Sequence, residues 1–223
     1  MSGKENAMLE KMDAFFEARL DGYDAHMLNE IEGAEQFYPY TAGSLPVGDV
    51  RILDLGCGTG LELEFYFAIN PCAKITGIDL SSAMLGALEK KFWDKEMELI
   101  CGSYFSEDLG ENRYDAAVSV ESLHHFTQEE KIPLYTKLFR ALKAEGYFIL
   151  TDYFAPSDEL EREYRSELLR LKRLQGISDD KFYHYDTPLT VEHEVEALLE
   201  AGFQSVEILN RWGATYVLKA SKK

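Results

Sequence analysis

The chain has 223 residues, 46% of them hydrophobic, and a formal net charge of −17 at pH 7. That length supports one substantial core, so one domain with elaborations is expected. So acidic a chain lacks the clustered Lys and Arg that track phosphates, which disfavours nucleic acid and leaves a small molecule as the better partner.

From Met8 to Leu20 the residues Met8, Leu9, Met12, Phe15, Phe16 and Leu20 recur at helical spacing, predicting an amphipathic helix ended by Asp21-Gly22. A second helix is expected from Tyr23 to about Tyr38, with Pro39 and the 43–48 stretch breaking the chain before the first strand. This part, residues 1–46, reads equally as a helical layer on a sheet or as a cap over a ligand. Ile52, Leu53 and Leu55 then form a short apolar run, as in a strand buried on both faces of a parallel sheet. Gly56, Gly58 and Gly60 follow, and Leu61 to Phe67 continue as a helix. A strand turning through glycines into a helix exposes bare backbone and free N–H groups to a nucleotide-like ligand. The dinucleotide fingerprint Gly-x-Gly-x-x-Gly requires its third glycine where Leu61 stands, which weakens a nicotinamide or flavin reading.

Lys74 to Asp79 reads as the second strand, and Asp79 falls at the C-terminal end where open α/β sheets bind ligands. It lies 19 residues past Gly60, a separation suited to an acid that accepts both ribose hydroxyls. Ser81 caps a helix whose inner face carries Met84, Leu85, Leu88 and Phe92. Glu98 to Cys101 and Tyr114 to Glu121 are the third and fourth strands, the latter delivering Ser122-Leu123-His124-His125-Phe126 to the same rim. Thr127 and Glu130 form a capping box, and Pro133 is expected to kink the next helix or delay its start. Tyr147 to Thr151 is the fifth strand. Ser157 caps a further helix with acidic residues first and basic ones last, ended by Gly176. Thr190 caps the last helix, and strands 203–209 and 214–220 close the chain as a hairpin.

Leu53-Asp54-Leu55-Gly56-Cys57-Gly58-Thr59-Gly60 resembles the first motif of class I S-adenosylmethionine-dependent methyltransferases, and the His124-His125 pair resembles a feature of the small-molecule members. The resemblance implies an α/β, three-layer, Rossmann-like fold. Its sheet is seven-stranded and mostly parallel with a C-terminal antiparallel hairpin, and N-terminal helices and a helical insertion are added to it. It also implies a cofactor, S-adenosyl-L-methionine, lying across the strand ends. Gly56 and Gly58 would pass close to its methionine portion and Asp79 would hold its ribose, with Asp54 and Cys57 also among the cofactor-binding residues. Leu80, Met84, Ser103 and Tyr104 would surround the adenine, with Ser103 standing where relatives carry an acid. Glu121 would end beside the amino acid group or the sulfonium, and Tyr23 is a candidate aromatic face for the sulfonium.

His124 and His125 are candidate general bases, with packing beneath the cofactor as the alternative. Tyr153, Tyr183, His184 and Tyr185 are candidate substrate-wall residues, and the segment that carries the last three reads otherwise as a dimer contact. The expected layout is a cap (1–46), a cofactor-binding core (47–155), an insertion or lid (156–189) and the rest of the core (190–223). The implied activity is methyl transfer to a small molecule. A nicotinamide-dependent oxidoreductase and a non-catalytic cofactor-binding partner subunit are the alternatives. A homodimer is left open. Cys57, Cys72 and Cys101 are scattered without disulfide or zinc spacing, so no metal is expected and a reducing cytoplasm suits the chain. There is no secretion-signal layout and no run of about 18 apolar residues, so no membrane association is expected.

Overall fold

The computed structural model describes residues 8–178 and 182–223. The parts of the expected cap and insertion at 1–7 and 179–181 lie outside them. Seven strands form one sheet in the order β3-β2-β1-β4-β5-β7-β6. They are β1 (Arg51–Leu55), β2 (Lys74–Asp79), β3 (Met97–Cys101), β4 (Tyr114–Val120), β5 (Leu142–Tyr153), β6 (Ser205–Trp212) and β7 (Thr215–Ser221). β1 to β5 run parallel, while β7 pairs antiparallel with both β5 and β6. The expected seven-stranded, mostly parallel fold with its terminal hairpin is therefore present. Sequence order reverses between β1 and β4, and the C-terminal ends of such strands open a crevice for ligands.

Helices cover both faces. One face packs α6 (Gln128–Ala141) and α8 (Val191–Glu200) over Leu53, Leu55, Phe148 and Leu218; the other packs α3 (Ala34–Gly43), α4 (Leu61–Ile69) and α5 (Ser82–Lys91) over Ile52, Ile75, Val118 and Ile149. The apolar strand residues are buried on both sides, which is why β1 reads as a continuous apolar run. A buried cluster on the first face links Lys131, Tyr135 and Glu194: Lys131 Nζ sits 2.5 Å from Glu194 Oε2, and the Tyr135 hydroxyl donates to the other oxygen. It fastens α6 to α8 behind the rim.

Several expected boundaries move. The first helix, α1, is only Met12–Glu17, and the expected helix from Tyr23 to Tyr38 is two, α2 (Tyr23–Glu30) and α3. The break falls at Gly33, whose φ is 82°; a Cβ there would stand 2.5 Å from Trp212 Cβ, so the chain must bend closely past the hairpin. Pro39 does not end a helix but lies inside α3, where buried Phe37, Tyr38, Thr41 and Ala42 hold the segment against the sheet. Pro133 likewise lies within α6, whose capping box forms as expected, with the Thr127 N–H donating to Glu130 Oε2 at 2.8 Å. The fifth strand, expected from Tyr147, starts earlier, at Leu142, and is entered through a bulge opposite Tyr114 and Ala116. The hairpin turn contracts to Gly213-Ala214, a two-residue loop begun by Gly213 at φ 56°. The insertion folds as expected into α7 (Asp158–Gln175), capped by Ser157 and stopped by left-handed Gly176.

Candidate active site

The floor of the site is made by backbone. Gly56, Gly58 and Gly60 have φ of 76°, 49° and 72°, conformations that side chains rarely adopt. The Gly56 N–H donates to Ile78 O at 2.8 Å, drawing the turn onto β2. A Cβ on Gly56 would stand 2.0 Å from Ser122 Oγ, whereas the space beside Gly58 is open for a ligand. Asp79, at the end of β2, accepts from the Gly58 N–H at 2.9 Å and the Ser81 N–H at 2.8 Å, one bond to each oxygen. The second lone pair on each oxygen remains for a diol. Burial raises the Asp79 pKa, and those backbone donors oppose it. Gly56, Gly58, Asp79, Leu80, Met84, Tyr104, Glu121 and Ser122 line one cavity together with Met12, Phe16 and Tyr23 of the N-terminal segment.

Under the glycine turn lie two buried acids, Asp54 and Glu62. Burial raises both pKa values, most strongly for Asp54, whose neighbour Glu62 adds to the shift. Asp54 Oδ2 and Glu62 Oε1 have no hydrogen-bond partner. Glu121 follows β4 with φ of 50°, one of two non-glycine residues described in that region. Its N–H is held by Thr151 O at 2.8 Å, and its carboxyl receives Thr215 Oγ1 at 3.4 Å. Burial and the Asp152 charge push its pKa up to about 8. A strained backbone that aims a buried acid at a cavity is the kind held at functional sites.

Phe16, Tyr23, Glu121 and His125 also border a second cavity of ≈ 760 Å³, which extends over the rim to His124, Tyr153, His184, Asp186 and Trp212. The 3-10 turn Leu123–His125 carries the two histidines, and their environments separate them. His124 Nδ1 is 2.5 Å from Asp152 Oδ1, while Asp152 Oδ2 accepts the Leu123 N–H at 2.9 Å. Burial opposes charge on His124, but Asp152 outweighs it and the pKa rises to about 9. His125 is pushed down to about 4 by burial and by the His124 charge. Its Nδ1 pairs with Asp186 Oδ1 at 3.2 Å.

The roof is assembled from distant segments. His184 stacks on Phe15 with ring centroids 3.4 Å apart, Lys11 bridges to Tyr183, and the Thr187 N–H donates to His124 O at 2.9 Å. Thr59 Oγ1 donates to Asp24 Oδ1 at 2.5 Å and Lys91 pairs with the same carboxylate at 2.8 Å, latching α2 to the glycine turn.

Most sequence-derived candidates converge here. Cys57 is buried with its Sγ turned toward Gly77, so it offers the site only backbone. Ser103 lies outside the cavity walls; its Oγ accepts the Phe105 N–H at 3.3 Å, while Tyr104 does reach the wall. Of the row Tyr183-His184-Tyr185, only His184 faces the large cavity. Tyr183 lines a separate groove with Phe182, Arg165 and Leu168, and Tyr185 lines none of the three cavities at this rim. Alternation along extended chain explains the split. Asp152 and Asp186 were missed. Asp152 obeys the strand-end rule that singles out Asp79, and that rule would have found it. No local pattern marks Asp186.

A glycine turn after the first strand, an acid at the end of the second and two adjoining cavities are the arrangement that the resemblance to S-adenosylmethionine-dependent methyltransferases implies. Residues 52–146 match the family model described as "Methyltransferase domain". A carboxy-S-adenosyl-L-methionine synthase of Wolinella succinogenes is 29% identical over 196 residues, covering 81% of this chain and 80% of that protein. A malonyl-[acyl-carrier protein] O-methyltransferase of Priestia megaterium is 30% identical over 135 residues, covering 59% of this chain but only 47% of that protein. Among solved structures, a Thermotoga maritima methyltransferase described as a possible histamine N-methyltransferase superposes with TM-score 0.66 at 21% identity, covering 95% of this chain and 100% of that one. Residues 52–146 belong to the methyltransferase-domain family, which sets aside the nicotinamide alternative.

The residues fit that cofactor. Open backbone at Gly58 and spare acceptors on Asp79 suit a ligand with a ribose. Among the described residues no helix is long and apolar enough to cross a membrane.

Proposed function

We propose that the chain transfers the methyl group of S-adenosylmethionine to a small molecule held in the ≈ 760 Å³ cavity. The observation that carries this reading is the common wall: Phe16, Tyr23, Glu121 and His125 border both the cofactor cavity and the larger one. The cofactor supplies an activated methyl on a good leaving group, displaced in line by the acceptor's nucleophile. The protein's contribution is alignment and exclusion of water. Phe15, Phe16, His184 and Asp186 border the cavity's rim, and a concave site of this volume suits a small acceptor. Tyr23 presents an aromatic face at the shared wall, suited to a sulfonium.

Of the two histidines, His124 is committed to Asp152, so proton removal from the acceptor belongs to the rim around His125 and Asp186. A carboxylate-bearing form of the cofactor, the product for which the Wolinella relative is named, would call for a cation beside it. Arg19 is the one Lys or Arg among the described residues of the large cavity's wall, and Glu10 holds it through two hydrogen bonds. Five acids share that wall, which favours methyl transfer. The test is mass spectrometry of metabolite extracts incubated with the pure protein and methyl-labelled cofactor. A product gaining one labelled methyl supports the reading, while label gained only by the protein or by added tRNA refutes it.

A further inference from the structure

His124, His125 and Asp186 each turn one donor atom to a common point, and these three atoms lie within 4.8 Å of one another. His125 Nδ1 and His124 Nε2 are 3.2 Å and 3.7 Å from Asp186 Oδ1, and His184 Nε2 is 4.0 Å from the same oxygen. Around a tetrahedral zinc ion with bonds of about 2.0–2.1 Å, ligand atoms stand roughly 3.3 Å apart. The spacing here is that of a coordination shell slightly expanded. We propose that His124 Nε2, His125 Nδ1 and Asp186 bind a divalent first-row transition ion of the zinc or iron(II) kind, with His184 beside them and the remaining position open to the acceptor cavity.

Three further observations support a site of this kind. His125 Nδ1 belongs to a side chain only 4% exposed, faces the cluster and pairs with Asp186 Oδ1 at 3.2 Å. His124 gives its other ring nitrogen to Asp152, a carboxylate 2% exposed that orients the ring and leaves Nε2 for the common point. Ligating histidines are usually supported this way. The donor set is two imidazoles and one carboxylate, a combination that suits these ions better than magnesium or calcium. The carboxylates of Asp186 and Asp152 together balance a 2+ charge.

The role of the ion rests on the methyl-transfer reading; its binding does not. At the shared wall an ion would hold the acceptor through an oxygen and acidify its hydroxyl, the proton leaving to water in the cavity. The oxygen's electron pair then forms the new bond to the methyl carbon as the carbon–sulfur bond breaks, its pair returning to sulfur. The acceptor class is therefore a phenol, enol or similar hydroxyl compound.

The experiment is equilibrium dialysis of the purified full chain against zinc(II), repeated with cobalt(II) to read its visible absorption. The variants Asp186→Asn and His125→Gln are dialysed in parallel, and S-adenosylhomocysteine binding by calorimetry serves as a fold control. We expect one equivalent in the wild type with a tetrahedral or five-coordinate cobalt spectrum free of thiolate bands. Each variant removes a direct ligand and should lose at least the roughly 10–100-fold in metal affinity that follows loss of an outer-shell partner, while Asp186→Asn, at a half-exposed position, keeps S-adenosylhomocysteine binding. No bound equivalent at micromolar free metal, or unchanged affinity in both variants, would overturn the proposal. Failure of the wild type to bind S-adenosylhomocysteine would instead refute the methyl-transfer reading and leave the metal count to decide this one.

Discussion

The floor and the roof of the site are built by different means. The floor is local: Gly56, Gly58 and Asp79 sit on two neighbouring strand ends, and their geometry follows from backbone conformation and sheet register. The roof is remote: Phe15 meets His184, Lys11 meets Tyr183 and His124 meets Thr187, contacts between residues far apart in sequence. The floor keeps one arrangement because glycines accept the left-handed turn without strain and hydrogen bonds from Gly56 and Cys57 to Ile78 O fix it on β2. The roof depends on side chains packing across segments whose lengths and sequences can vary independently. A shared donor with varied acceptors is what such a division permits.

Breaking the floor should cost most. Gly56→Ala forces a left-handed residue into contact with Ser122, and S-adenosylhomocysteine affinity should fall roughly 100-fold. Calorimetry showing a loss under about fivefold would mean that the turn is not the cofactor cradle. Asp79→Ala removes the acceptors for a ribose diol and should weaken the same binding by more than about tenfold. An unchanged affinity would place the ribose elsewhere.

Changes in the roof should separate the two ligands. His184→Ala removes the ring stacked on Phe15 and opens the large cavity. We expect cofactor affinity to hold within about twofold while turnover of the acceptor drops roughly tenfold, an alignment effect. A parallel loss of cofactor binding would show that the roof and floor are one unit rather than two.

The smallest effect lies at the base of the roof, where Glu161 of α7 accepts from the Thr190 N–H at 2.6 Å and pairs with His193 at 2.8 Å. The Glu161 hydrogen bond raises the His193 pKa above its usual 6.5. A raised folded-state histidine stabilises fully below about pH 6.5 and loses that contribution as pH rises through the folded pKa. For so exposed a pair the effect is at most about 1 kcal/mol. His193→Gln should flatten the melting temperature's dependence on pH above neutrality by a degree or two. A wild-type melting temperature that rises over the same interval, with the variant's unchanged, would contradict the sign.

Strand ends were the legible positions. Asp79 and Glu121 could be placed because short continuous apolar runs locate the end of a strand, and the parallel order brings those ends to one edge. Boundaries set by contact with another element were less legible. The break at Gly33 answers to Trp212 of the hairpin, and the early start of β5 answers to a bulge against β4. Neither partner lies within a helical or strand window of the residue it controls.

By itself the sequence determined the parallel sheet, the glycine turn, the acid at the end of β2 and the class of cofactor, because each depends on residues adjacent in the chain or on strand order. Only the tertiary structure decided which of the row Tyr183-His184-Tyr185 faces the cavity, and that Asp152 and Asp186 stand on opposite sides of the two histidines. Asp152 comes from the end of β5 and Asp186 from beyond α7, and their donor atoms gather around His124 and His125 only when α1, the 3-10 turn and the 182–187 segment pack together. Such a cluster has no period and no spacing. Its geometry is fixed by long-range packing, which no local window of the chain contains.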